Sequence, residues 1–190
     1  IPYKEEVINY IDKLDDNCTH IGAVNTLFPQ YSGNSLVSIK GYNTDTYGFG
    51  QSIKPYLRSY HENVLILGTG GASKAVSHVL KQLNLKVNYI TRKPTVDSKD
   101  FFGWNELNEN MVKYHKFIIN TTPIGMFPYH DQEFTFPYQA ITNKHFVMDL
   151  IYNPEETNFL KKAKKMGAIT INGYSMLVFQ ALKSWDIWNS

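Results

Sequence analysis

The chain has 190 residues, 43% of them hydrophobic, which is enough to bury a core in one ordinary domain or in two small ones. Its 19 basic and 17 acidic residues give a net charge of +2 and form no basic stripe, which argues against a nucleic-acid partner. Cys18 is the only cysteine, so an intramolecular disulfide is excluded, and no apolar run is long enough to cross a bilayer. We therefore expect a cytoplasmic protein. The histidines lack ligand spacing, so no metal site is predicted.

The first third of the chain has the pattern of a small, incomplete α/β domain. Apolar residues at helical spacing predict a helix over residues 4–18, and a helical pattern returns at 47–57. Residues 23–28 and 36–39 read as extended runs separated by turn-forming residues, which is typical of a hairpin. The sequence begins without methionine and runs straight into a helical pattern, so we interpret it as a fragment that lacks an N-terminal segment.

The pattern changes at Asn63, where residues 64–67 form a short apolar run typical of a parallel strand buried on both faces. An amphipathic helix follows from Ala72. Further short strands are predicted at 87–90, 117–119, 146–148 and 169–171, with a last helix at 175–188.

Alternating strands and helices indicate an α/β fold, a Rossmann-type doubly wound parallel sheet. The predicted division is a substrate-domain remnant at 1–58, a nucleotide-binding domain at 59–172 and a closing helix at 173–190 that returns to the first part.

A glycine-rich turn, Gly-Thr-Gly-Gly-Ala-Ser at 68–73, lies directly between the predicted strand and the amphipathic helix. Such a turn lets the backbone approach a pyrophosphate, which the amides and dipole of the helix N-terminus then bind. Ser73 replaces the third glycine of the common pattern. The alternative is a glycine-rich turn without a ligand, but the flanking elements favour dinucleotide binding.

The residues after the second predicted strand bear on which dinucleotide binds. An NAD enzyme usually carries Asp or Glu about 20 residues beyond the glycines. This chain has Arg92 and Lys93 there, and two cations suit the additional phosphate of NADP. Taken alone, Arg92 and Lys93 could equally be a solvated pair on the surface. Their position relative to the glycines favours binding of NADP.

Two further turns follow predicted strands, at 120–126 and at 149–154. Open parallel sheets bind their ligands at the carboxyl ends of strands, so both turns are candidates for the binding site. From the residues alone, a structural explanation is slightly favoured for Pro123 and Pro154, namely that they only shape these loops.

Together these motifs resemble the shikimate dehydrogenase family over essentially the whole chain. The matching segments are Ile-Pro-Tyr-Lys at 1–4, Gly-Ala-Val-Asn-Thr at 22–26, Gly-Tyr-Asn-Thr-Asp at 41–45, 68–72, the arginine of 91–93, 120–126, 149–154 and 173–180. The resemblance implies an oxidoreductase that reduces 3-dehydroshikimate reversibly to shikimate with NADPH, in aromatic amino-acid biosynthesis. It also implies a small-molecule substrate and a monomer or homodimer.

The resemblance assigns Lys4 and Asp45 as the catalytic pair. Hydride reduction of a ketone leaves an alkoxide that needs a proton, and an ammonium held beside a carboxylate can supply it. By the same resemblance, substrate contacts fall to Asn25, Tyr152 and Gln180. Cofactor contacts fall to Gly68, Gly70, Gly71, Ala72, Arg92, Thr122, Leu150, Gly173 and Met176.

The chain departs from the family pattern in two places. The early Ser-x-Ser motif that holds the substrate carboxylate is absent, so we expect the isolated chain to bind NADPH, to turn over substrate poorly and to self-associate through its incomplete domain. The second arginine that often follows the phosphate-binding one is replaced by Val96, with Lys93 as a substitute.

Two alternatives stay open. One is the quinate/shikimate dehydrogenase branch, which tends to use NAD; an acidic residue in place of Arg92 would favour it, and none is present. The other is a nucleotide-binding module without catalysis. Turnover and cofactor affinity measured on one sample separate these alternatives.

Overall fold

A computed structural model describes residues 3–94 and 98–190. Val96 and the Ile-Pro half of the lysine motif lie outside the described residues. The elements in chain order are a 3-10 helix (Glu6–Tyr10), β1 (Lys13–Leu14), α1 (Asp16–Ile21), β2 (Thr26–Ser32), β3 (Ser35–Tyr42), α2 (Asp45–Ile53), β4 (Asn63–Leu67), α3 (Gly71–Gln82), β5 (Lys86–Thr91), β6 (Phe101–Gly103), α4 (Glu109–Tyr114), β7 (Phe117–Asn120), a 3-10 turn (Tyr138–Ala140), β8 (Phe146–Asp149), α5 (Asn158–Lys165), β9 (Ile169–Ile171) and α6 (Tyr174–Trp188).

The chain divides into two compact units. The first comprises the residues up to Ser52 together with Met176–Ser190, and the second comprises Ile53–Ser175. Helices α2 and α6 each cross a boundary between the units. In the described ranges, none of the helices has the length and apolar character needed to span a membrane.

The first unit is built on a mixed sheet in the order β1-β3-β2. Strands β2 and β3 form an antiparallel hairpin from Thr26 opposite Tyr42 to Ser32 opposite Ser35. The predicted hairpin is confirmed, and its strands are longer than the apolar runs that predicted them. The extra residues at its tip are exposed, so they are held by ladder hydrogen bonds rather than by burial, and apolar patterning does not detect them.

The helix predicted over residues 4–18 is wrong. The segment is a 3-10 helix, then β1, then α1. Backbone pairing decides the difference: the amide of Asp12 donates to the carbonyl of Ile39 and its carboxylate accepts the amide of Ile39, which ties this stretch to β3. Asp15 then starts a new helix, because its carboxylate accepts the amide of Asn17. Hydrogen bonds to the sheet therefore override the helical spacing of the apolar residues.

Helix α6 has an unusual distribution of buried and exposed residues. Its buried residue is Ser184, whereas Trp185 and Trp188 are 63% and 54% exposed. The indole of Trp188 donates to the carbonyl of Leu27 on β2. Half-buried and polar residues therefore make up the face of α6 that packs within the first unit.

The second unit contains, within its described residues, a parallel sheet in the order β6-β5-β4-β7-β8-β9. Counted from the first strand of the unit, this is the order 3-2-1-4-5-6 of a Rossmann fold, with the switch point between β4 and β7. The predicted α/β class is confirmed. Strands β4, β7 and β8 are almost wholly buried, as their continuous apolar runs predict.

Three elements of this unit were not predicted, namely β6, α4 and the 3-10 turn at Tyr138–Ala140. Strand β6 has only three residues, and helix α4 has six, so neither shows a readable period. In the sequence, the residue that could have indicated the start of α4 is Asn108. Its side-chain oxygen accepts hydrogen bonds from the amides of Asn110 and Met111 and thereby caps the helix. Val112 of α4 packs in the core with Phe136 and Phe159.

Candidate active site

The first unit brings Lys4 and Asp45 together across 41 positions of sequence. The Lys4 ammonium lies 2.7 Å from Oδ2 of Asp45, and the two side chains are 36% and 15% exposed. Asp45 opens α2, and its amide donates to the side-chain oxygen of Asn43. The carbonyl of Lys4 accepts the amide of Val24, which fixes the backbone of the lysine. The result is a partly exposed ion pair on a fixed backbone.

Asn25 joins this ion pair through the other carboxylate oxygen. Its Nδ2 donates to Oδ1 of Asp45 at 2.9 Å. Its Oδ1 accepts the amide of Thr44 at 2.9 Å and the hydroxyl of Thr44 at 3.2 Å. Since only an oxygen can accept from a backbone amide, the orientation of the Asn25 amide is determined. The carboxylate is therefore held by one donor on each oxygen.

Gln180 belongs to the same group of side chains. Its Oε1 accepts the Thr44 hydroxyl at 3.4 Å, and its Nε2 donates to the carbonyl of Leu177. Met176 precedes it by one turn of α6 and is half-buried. The structure thus gathers the predicted Lys4, Asp45, Asn25 and Gln180 in the first unit, whereas Tyr152 belongs to the second.

The glycine-rich turn of the second unit has the geometry that its sequence predicts. Gly68 has φ +101°, and a Cβ there would lie 2.8 Å from the Thr122 methyl, so only glycine fits. Gly70 is the N-cap of α3 and makes no side-chain cap. The first amides of α3, from Gly71 onward through Ala72, therefore lie at a helix N-terminus, where anions such as a pyrophosphate bind in this type of fold.

The end of β5 lies beside this turn. The hydroxyls of Thr69 and Thr91 are 3.1 Å apart, which links the glycine-rich turn to the last residue of β5. Arg92 and Lys93 follow directly, and both are exposed. The two predicted cations are therefore placed next to the turn with their side chains accessible.

The carboxyl ends of β7 and β8 are joined by a buried polar network. Asn120 donates to Oδ1 of Asp149 at 3.1 Å, and its own oxygen accepts both the amide and the hydroxyl of Thr122. Oδ2 of Asp149 accepts the hydroxyl of Thr157, the N-cap of α5. Burial raises the pKa of Asp149 to about 6, against the hydrogen bonds that lower it. This network fixes the loop that carries Thr122.

A cavity of about 410 Å³ opens at these strand ends. Its lining includes the predicted residues Thr122, Leu150 and Tyr152. Gly173 lies against the wall of the same loop, since a Cβ there would lie 1.9 Å from the carbonyl oxygen of Leu150. Any larger residue at 173 would displace the loop after β8.

Sequence reasoning missed several polar residues of these two groups, among them Thr26, Thr44 and Ser184 in the first unit and the Asn120–Asp149 link in the second. Polar residues at the ends of apolar strands were the visible signal for Asn120 and Asp149. The three hydroxyls come from separate elements, so no local spacing connects them.

A parallel sheet of this order, with a glycine-rich turn at its switch point, is typical of a dinucleotide-binding oxidoreductase. No protein-family model matches the chain. Among curated relatives, the chain is 40% identical over 200 residues to the shikimate dehydrogenase (NADP(+)) of Methanococcus aeolicus, and the match covers 99% of the chain and 70% of the relative. The chain belongs to the shikimate dehydrogenase family.

Solved structures are similar to the chain over almost its whole length. A shikimate dehydrogenase crystallised with NADP+ superposes with a TM-score of 0.83 at 34% identity, over 99% of this chain and 68% of the other. Quinate dehydrogenase from Corynebacterium glutamicum, in complex with NAD, superposes with a TM-score of 0.84 at 27% identity, over 98% and 70% of the two chains.

The buried network predicts a pH dependence of stability. Because the folded-state pKa of Asp149 is about 6 and its ordinary value is 3.8, the native state retains a proton that the unfolded chain has lost between these pH values. The contribution of this carboxyl to the free energy of unfolding is therefore largest below about pH 4 and falls as pH rises to about 6, by on the order of 2 to 3 kcal/mol.

We expect Asp149→Asn to remove this dependence. Urea unfolding from pH 4 to 7 of the wild type, Asp149→Asn and the control Asp100→Asn, an exposed aspartate of the same unit, measures it. If the difference in the free energy of unfolding between the wild type and Asp149→Asn does not change across this range, Asp149 titrates as an ordinary carboxyl.

Proposed function

We propose that the protein catalyses the reversible, NADPH-dependent reduction of 3-dehydroshikimate to shikimate, a step of aromatic amino-acid biosynthesis. Membership of the shikimate dehydrogenase family supports the reaction and the cofactor. One observation carries the chemistry, which is the partly exposed Lys4–Asp45 pair with Asn25 on the second carboxylate oxygen.

Lys4 and Asp45 are the proposed catalytic residues. When bound, NADPH supplies the hydride that reduces the substrate carbonyl. The Lys4 ammonium donates a hydrogen bond to that carbonyl oxygen and then transfers a proton to it as negative charge develops. Asp45 holds the ammonium at 2.7 Å and stabilises its charge. Because the Lys4 side chain is 36% exposed, the amine recovers its proton from water after each cycle.

The second unit contains groups that fit NADP. The glycine at 68 leaves room that a Cβ would fill, and the first amides of α3 offer donors to the pyrophosphate. Arg92 is accessible at the end of β5 for the 2′-phosphate, where its planar fork can grip two oxygens. We assign Thr122, Leu150, Gly173 and Met176 to the nicotinamide end, on the family resemblance.

Asn25, Gln180 and Tyr152 are the proposed substrate contacts. The Asn25 amide nitrogen has two hydrogens and uses one on Asp45, so the other can donate to a substrate hydroxyl. We place the substrate-binding part in residues 1–58 with the closing helix at 173–190, and the NADP-binding part in residues 59–172. The protein is proposed to be cytoplasmic and to act as a monomer or homodimer.

The alternative substrate is quinate with NAD, which the likeness to a quinate dehydrogenase in complex with NAD favours. Arg92 argues against it, because a cation at the end of β5 suits a phosphate rather than a ribose hydroxyl. Steady-state rates with shikimate and quinate, each with NADP and NAD, separate the two, and a higher kcat/KM for quinate with NAD would overturn the proposal.

Replacing Lys4 tests its catalytic role. In a full-length version of the protein, we expect Lys4→Met to lower kcat for shikimate oxidation by about 100-fold or more, because the lost group acts on the transition state. The dissociation constant of NADP should not change. The measurement is the initial rate of NADPH formation, with Lys13→Met, an exposed lysine of the same unit, as control. Near-normal turnover of Lys4→Met would remove Lys4 from the mechanism.

Replacing Arg92 tests the cofactor assignment. We expect Arg92→Ala to raise the dissociation constant of NADP by roughly 10- to 100-fold, since a charge-assisted hydrogen bond contributes about 1.5 to 3 kcal/mol. NAD affinity should change little. Calorimetric titration with each nucleotide measures the difference, and Lys86→Ala, at the opposite end of β5, controls for the lost charge. Equal losses for both nucleotides would show that Arg92 does not recognise the phosphate.

A further inference from the structure

Three buried hydroxyl groups of the first unit, from Thr26, Thr44 and Ser184, lie within hydrogen-bond distance of one another. We refer to them as the hydroxyl cluster. Oγ of Ser184 is 2.8 Å from the hydroxyl of Thr26 and 3.0 Å from that of Thr44. The three residues are 2%, 1% and 6% exposed, respectively. The cluster therefore joins β2, the residue before α2 and helix α6 without contact with bulk water.

Ser184 makes more hydrogen bonds than its own helix requires. A serine inside a helix is ordinarily satisfied by the carbonyl four residues earlier, and Ser184 donates to that carbonyl, of Gln180, at 3.0 Å. The contacts to Thr26 and Thr44 are additional. Ser184 is also the buried residue of a helix whose neighbouring Trp185 is largely exposed. Its burial therefore serves a polar contact rather than an apolar one.

Counting protons shows what the additional contacts do. Each hydroxyl donates one proton. When the Ser184 proton is used on Gln180, the short contacts of Ser184 require a proton from Thr26, from Thr44 or from both. The Oδ1 atom of Asn25 is 3.1 Å from the Thr26 hydroxyl and 3.2 Å from the Thr44 hydroxyl, so it competes with Ser184 for the proton of each threonine, and Oε1 of Gln180 competes for that of Thr44. Ser184 is thus one of the acceptors that share the threonine protons with Asn25.

Asn25 transmits this arrangement to the ion pair. Its oxygen faces the hydroxyl cluster and its nitrogen donates to Oδ1 of Asp45. If the Ser184 hydroxyl is removed, the threonine protons lose one acceptor, and the acceptors that remain in reach are Oδ1 of Asn25, Oε1 of Gln180 and the hydroxyl of the other threonine. The position of the Asn25 amide, and with it the orientation of the Asp45 carboxylate toward Lys4, would then shift.

We infer that Ser184 is a positioning residue for the proton transfer, acting through Thr26, Thr44 and Asn25 on the Lys4–Asp45 pair. This inference rests on the proposed function, because it assigns the transfer to that pair. The hydrogen-bond partners of Ser184 are Thr26, Thr44 and Gln180, so its effect on Asp45 and Lys4 passes through the Asn25 amide.

The test compares two serines that are matched in burial. Ser52 is 2% exposed, lies on α2 in the same unit and donates to a carbonyl of its own helix, that of Phe49. We expect Ser184→Ala to lower kcat for shikimate oxidation roughly 3- to 10-fold, the effect of one hydrogen bond that acts in the transition state, with the KM for NADP unchanged. Ser52→Ala should keep the wild-type kcat.

A second pair of variants covers the case in which Ser184→Ala does not fold. Thr26→Val removes a hydroxyl of the cluster with little change in shape, and Thr26→Ser keeps it. We expect Thr26→Val to lower kcat to a similar extent and Thr26→Ser to keep most of the wild-type kcat. Loss of kcat in both Thr26 variants would indicate packing and would contradict the inference.

A spectroscopic readout separates this inference from the proposed function. The side-chain amide resonances of Asn25 in ¹⁵N-labelled protein, assigned with Asn25→Asp, should move in Ser184→Ala and stay in Ser52→Ala. If the wild type turns over shikimate but neither kcat nor the Asn25 resonances respond to Ser184→Ala, the inference is overturned and the proposed function stands. If the wild type does not turn over shikimate, the proposed function fails, and unmoved Asn25 resonances would then overturn the positioning role as well.

Discussion

The carboxylate of Asp45 accepts a different donor on each oxygen, and the first unit is arranged around this requirement. Lys4 reaches Oδ2 from the start of the chain, and Asn25 reaches Oδ1 from the residue before β2. A carboxylate with both oxygens held has little freedom to rotate, so the ammonium is held in one place. The proposed proton transfer from Lys4 depends on such fixed geometry, because small displacements of a donor reduce its rate strongly.

The second unit has a different arrangement, in which backbone amides and short loops lie at one edge of a buried sheet. The carboxyl ends of β4 and β7 meet at the switch point, where Gly68 contacts the loop of Thr122. Asn120 and Asp149 hold that loop through hydrogen bonds. Because the carboxyl of Asp149 is buried there, its pKa rises to about 6. The cost of burying this carboxyl is thus offset by hydrogen bonds that order the loop after β7.

The sequence predicted the elements whose burial leaves a readable pattern. Strands such as β4, buried on both faces, appear as continuous apolar runs, and the glycine turn follows them. Residues 4–18 were predicted wrongly because pairing of Asp12 with Ile39 overrides a helical spacing. The Lys4–Asp45 pair could be assigned from motifs, but not its geometry, since the partners are 41 residues apart. The hydroxyl cluster has no local signature at all.

The most direct test of the account is a double-mutant cycle on turnover. We measure kcat for shikimate oxidation in the wild type, Lys4→Met, Asp45→Asn and the double variant. If Asp45 acts by holding the Lys4 ammonium, the double variant loses about as much kcat as Lys4→Met alone, because residues that act as a unit are non-additive. Losses that multiply in the double variant would show that the two residues act independently and would contradict the central claim.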